Sequence, residues 1–96
     1  MTKQDILNYL SSHKKEFLDK YGINKVALFG SVARGEDKEN SDIDIAIETN
    51  SVDYFKLFDF KEELENFFNR RVDIVRVRNK MNKSLKKRIE NEAIYV

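Results

Sequence analysis

No cysteine occurs in this sequence, which removes a disulfide framework and a thiolate zinc site from consideration. The single histidine, His13, cannot build an imidazole metal site alone. Proline is absent as well, and no Gly/Ser-rich linker, internal repeat or low-complexity tract marks a domain boundary. No apolar run approaches the ~20 residues needed to cross a bilayer, and no signal peptide is recognisable. Nor does one sign of charge dominate: 18 Lys+Arg stand against 17 Asp+Glu, a net charge of +1. A nucleic-acid clamp normally carries a basic face that neutralises phosphates, so this balance argues against direct nucleic-acid binding. What remains is one small domain, residues 1–96, with one core and an expected cytoplasmic, membrane-free existence.

The residues that are present outline an α/β (α+β) chain. Thr2 and Asp5 form a capping box ahead of Ile6, Leu7, Leu10, Phe17, Leu18 and Tyr21, whose spacing predicts one amphipathic helix ended by Gly22. Ile23–Phe29 reads as a strand, apolar on both faces from Val26 onward, as a central strand is. Ser31–Gly35 is one helical turn, residues 36–41 a charged loop, and Ile43–Glu48 a second strand. Asn50, Ser51 and Asp53 suit a helix start. From there Phe55, Leu57, Phe58, Leu64, Phe67 and Phe68 carry a helix to about Asn69. Arg71–Val77 is a third strand, Lys83–Glu92 a last helix with Leu85 and Ile89 on one side, and Ala93–Val96 a closing edge strand. This order gives a small mixed sheet with helices packed on one face.

Chemistry concentrates in residues 28–48. A strand runs into Gly30-Ser31, and after a gap of ten residues come Asp42 and Asp44, flanking Ile43. Side chains alternate along a strand, so the two carboxylates share a face while Ile43, Ile45 and Ile47 share the other. Adjacent carboxylates repel unless a cation lies between them. Asp73 sits in the third strand, where a carboxylate is costly unless solvated or paired. If that strand lies beside the second, three carboxylates converge on the face away from the helices. Such a trio suits a two-metal site, and oxygen-only ligands favour Mg²⁺, with Mn²⁺ as the substitute. Asp73 is then also the candidate general base. Gly30 lets the backbone approach phosphates, Ser31 and the amides after it donate to them, and Arg34 adds a charged bond.

Each feature has a plainer reading. Asp-x-Asp is often a solvated turn, and Gly-Ser before a helix is often only a cap. Arg34 can pair with Glu36, Asp37 or Asp42. His13 reads as a partly exposed bystander, and Lys83, Lys86, Lys87 and Arg88 as a solvated helix face. The aromatics between Tyr54 and Phe68 read mostly as core, but they cover more than one helical face, so part of the run can be an interface. Tyr95 fits a surface position or a partner contact equally.

Taken together, Gly30-Ser31, the ten-residue gap holding Ala33-Arg34-Gly35-Glu36 and Ser41, and Asp42-x-Asp44 resemble nucleotidyltransferases of the DNA-polymerase-beta superfamily. The whole chain, through the VDIV strand with Asp73 to the ending IENEAIYV, resembles the minimal nucleotidyltransferases of prokaryotes. The resemblance implies a polymerase-beta palm-like fold with Asp42, Asp44 and Asp73 as catalytic, metal-binding residues. It also implies nucleotide contacts at Gly30, Ser31, Arg34 and Ser41, with ATP as substrate. Those proteins serve as antitoxins in HEPN–MNT modules, which implies transfer of AMP to a tyrosine of a HEPN ribonuclease within a hetero-oligomer. A homodimer acting on a small molecule or an RNA end, and a non-catalytic antitoxin acting by contact, are the alternatives.

Overall fold

A computed structural model describes residues 1–50 and 52–96; Ser51, expected at a helix start, lies outside the described residues. The elements follow the order α1 (Lys3–Ser12), α2 (Lys14–Tyr21), β1 (Ile23–Phe29), α3 (Gly30–Arg34), β2 (Ile43–Thr49), α4 (Tyr54–Phe68), β3 (Val72–Arg76), α5 (Lys83–Glu92) and β4 (Ile94–Tyr95). No helix among the described residues is long and apolar enough to cross a membrane.

The sheet order is β3-β2-β1-β4. β1 runs antiparallel to both neighbours, while β2 and β3 pair in parallel, which requires the α4 crossover between them. β1 is therefore central, as its two-sided apolar pattern implies. On one face Val26, Leu28, Ile43, Ile45, Ile47 and Val72 meet Ile6 and Leu10 of α1, Phe17 of α2, and Phe60, Leu64 and Phe68 of α4. Full burial of an aliphatic or aromatic side chain contributes roughly 1.5–3 kcal/mol, so this layer dominates stability.

The α/β mixed-sheet class holds, and three details differ from expectation. The first helix is two, divided at His13, whose Nδ1 lies 2.8 Å from Tyr9 O while Ser12 Oγ donates to Asn8 O at 2.8 Å. Side chains here occupy carbonyls of the last turn, and the chain redirects so that Phe17 reaches the core while Leu18 stays exposed. In α4, Phe60 and Phe68 are buried as core, but Tyr54, Phe55, Phe58 and Phe67 face solvent. Finally, α5 leaves the common helix layer and packs on the opposite sheet face, placing Ile89 against Ala27, Phe29 and Ala46. Two alanines at paired positions of β1 and β2 leave room there for a helix.

Candidate active site

Three local devices shape the end of the sheet where β1 runs into α3 and β2 begins. β1 ends at Phe29, and Gly30 turns into α3 with φ +77, a left-handed value that glycine adopts without strain. The turn closes at Gly35, also left-handed, whose N–H bonds Val32 O at 3.1 Å. The loop after it is pinned from the far side. Arg70 forks onto Ser41 O through Nη2 at 2.6 Å and Nε at 3.1 Å, and the Lys38 amide donates to Ser41 Oγ at 2.8 Å. Ser41, expected at the nucleotide, thus closes the turn that aims Asp42.

Strand register brings two of the three carboxylates together. Asp44 pairs with Phe29 across β1–β2 and with Asp73 across the parallel β2–β3 ladder. Neighbouring strands lie about 4.8 Å apart, so Asp44 and Asp73 stand side by side on one face. Asp44 also rests on Gly30: a Cβ there would collide with Asp44 Oδ2 and stand 2.9 Å from its Cγ. Burial, then the charges of Asp73 and Asp42, push the Asp44 carboxyl above its ordinary value, while Arg88 and Arg34 oppose the rise. Asp42 is met by Arg71 Nε at 3.3 Å, but Arg71 is 84% exposed and the pair is weak.

Among the described residues no three His, Cys, Asp or Glu side chains already stand in a metal-chelating array. The donor chemistry nevertheless fits a hard divalent cation. The ligands are all oxygen, Asp44 is half-buried beside two like charges, and Gly30 carries no Cβ where the Asp44 carboxylate lies.

Arg34 pairs with Glu36 Oε2 and Glu92 Oε2, both at 2.9 Å, which ties α3 to α5. Glu92 lies 58 positions away, and no local spacing signals it. Arg88, read from sequence as part of a solvated face, acts electrostatically on Asp44. Only the packing of Ile89 onto the acidic face brings it there.

Residues 10–96 match the nucleotidyltransferase domain family. The protein adenylyltransferase MntA of Thermococcus cleftensis is 33% identical over all of this chain and 97% of its own length. A solved structure assigned as a minimal nucleotidyltransferase superposes with a TM-score of 0.79 at 28% identity, covering 98% of this chain and 95% of that one. A chain of the complex between a tri-AMPylated Shewanella oneidensis HEPN toxin and its MNT antitoxin gives a TM-score of 0.70 at 19% identity, covering 98% and 71%. That last likeness speaks to the fold alone.

Proposed function

This chain belongs to the nucleotidyltransferase domain family, and on that premise we propose that it moves AMP from ATP onto a tyrosine hydroxyl of a HEPN-type partner, acting as its antitoxin. The observation that carries the reading is Asp44 seated against the bare Gly30 backbone with Asp73 beside it on the next strand. This is a carboxylate cluster held against the glycine turn that opens α3. The likeness to an adenylyltransferase along the whole chain supports a protein acceptor, and the near-zero net charge fits one better than a nucleic acid.

The roles follow from position. Gly30 keeps the head of α3 clear, and the Ser31 hydroxyl with the following amides donates to the β- and γ-phosphates. Arg34 turns part of its guanidinium from Glu36 and Glu92 to a phosphate oxygen. Asp73 accepts the proton of the attacking hydroxyl. The tyrosine oxygen then bonds to the α-phosphorus as the bridging bond to the β-phosphate breaks in line, and pyrophosphate leaves with that electron pair. Two Mg²⁺ ions held by Asp42, Asp44 and Asp73, or Mn²⁺ in their place, would neutralise the charge on the phosphate oxygens.

The test is direct. The protein, ATP, Mg²⁺ and a HEPN-type partner are incubated, and the partner is examined by peptide mass spectrometry. An AMP-sized increase on a tyrosine is expected, and it should vanish with Asp42→Asn plus Asp44→Asn. Full protection of cells by that double variant would instead establish neutralisation by contact. Turnover of ATP onto small hydroxyl compounds without the partner would move the acceptor to another class.

A further inference from the structure

Resting on that reading, we infer that the groove between α4 and β3 binds an acidic segment of the acceptor protein and presents its tyrosine to Asp73. β3 is an edge strand, and beside it lies a groove of about 500 Å³ whose lining includes Asp73. Tyr54, Phe58 and Lys61, spaced i, i+4 and i+7, bring one face of α4 to it, and Arg76 and Arg78 close the other side. Tyr54 and Phe58 are 79% and 64% exposed. Large aromatics left in water beside a concave surface mark a contact site.

Charge identifies the occupant. Lys61, Arg76 and Arg78 bring three positive charges to the groove, and none of them is in an ion pair among the described residues. Arg76 Nε is buried without a hydrogen-bond partner, an unfavourable state that a carboxylate oxygen relieves. Three cations free of carboxylate partners, with Arg78 Nη1 held by Arg76 O at 2.8 Å, around an aromatic floor suit a segment with acidic residues flanking an aromatic one.

Reaction geometry distinguishes such a segment from the nucleotide itself. In-line displacement places the attacking oxygen and the leaving pyrophosphate on opposite sides of the α-phosphorus. Gly30 and Ser31, the phosphate end, flank β2 from the β1 side, whereas Asp73 and the groove lie on its β3 side. A hydroxyl arriving opposite the phosphate end therefore crosses the β3 edge, which the groove borders.

Arg78→Glu and Phe58→Asp test this, since both alter exposed side chains outside the carboxylate cluster. Each is assayed for AMP transfer to the HEPN-type partner and, separately, for the thermal shift produced by Mg²⁺-ATP. The expected result is a fall of about tenfold or more in kcat/KM for the partner, with the ATP shift retained and Arg78→Glu less sensitive to added salt than wild type. Loss of the ATP shift would make the groove a nucleotide subsite and overturn the inference. Unchanged transfer in both variants would do the same. Absence of transfer by the wild-type protein would remove the adenylylation reading first, and the inference with it.

Discussion

Gly30→Ala and Gly35→Ala form a matched pair that isolates the seat of Asp44. Both glycines hold left-handed φ, +77 and +74, and an L-residue in that conformation costs ~1–2 kcal/mol. Beyond this they part. A Cβ at Gly35 meets nothing within 4 Å, whereas one at Gly30 drives into the Asp44 carboxylate. Overpacking of this kind costs ~1–3 kcal/mol. Gly35→Ala should therefore lose only the conformational ~1–2 kcal/mol, and Gly30→Ala a total of ~2–5 kcal/mol. Against a whole stability of ~5–15 kcal/mol, the difference is readable by urea unfolding.

Activity sharpens the comparison. Asp44 can relieve the collision by rotating away, and a misplacement near 1 Å can cost about 10²-fold in rate. Gly30→Ala should then recover stability only by forfeiting AMP transfer, whereas Gly35→Ala keeps transfer near wild type. Equal stabilities for the two variants, with transfer intact in both, would refute the idea that Asp44 rests on Gly30.

The acidic cluster itself should be a cost to the fold. Because Asp44 titrates above its ordinary value through burial and its two acidic neighbours, its charged form weakens the folded state as pH rises through that value. Asp44→Asn should accordingly melt at the same or a higher temperature than wild type without Mg²⁺-ATP, yet lose the Mg²⁺-ATP shift; a lower melting point would contradict this. Glu63 behaves in the opposite sense. Burial pushes its pKa up, but bonds from Tyr21 Oη at 2.7 Å and Lys20 Nζ at 3.2 Å, with Tyr9 Oη at 3.4 Å, outweigh that and hold it below 4.5. Its stabilisation is complete above 4.5 and disappears as pH falls through the lowered folded value. Acid titration of stability should show this step in wild type and not in Glu63→Gln, while Glu63→Ala, which strands two tyrosine hydroxyls, should lose ~1–3 kcal/mol at neutral pH. Ile89→Ala, removing the anchor of α5, should cost about 2 kcal/mol by urea unfolding. A loss below ~0.5 kcal/mol, the usual range for surface changes, would mean that α5 is not held by that contact.

What the sequence discloses here is what short-range geometry dictates. Strand alternation puts Asp42 and Asp44 on one face, Gly30 and Gly35 punctuate the turn, and the Thr2–Asp5 box starts α1. Each lies within a few residues of its cause. That the aromatics of α4 cover more than one face was legible in their spacing, but which of them stay in water is set by the packing, which leaves Tyr54 and Phe58 beside the β3 edge. The break at His13 was hidden in the polar stretch between Leu10 and Phe17, which a single helix accommodates equally well.

The side taken by α5 is the most consequential of these omissions. Leu85 and Ile89 specify an apolar stripe but not which sheet face receives it. That choice is made by Ala27 and Ala46, far away in the chain, whose small side chains leave a trough beside the carboxylates. Once there, α5 places the charge of Arg88 on Asp44 and gives Arg34 its second partner, Glu92. The helix is thus part of the electrostatic setting of the site, since it offsets some of the repulsion that burial and two aspartates impose on Asp44. Loosening α5 through Ile89→Ala should therefore raise the Asp44 pKa further, and the site's charge would respond to a packing residue that touches none of the three carboxylates.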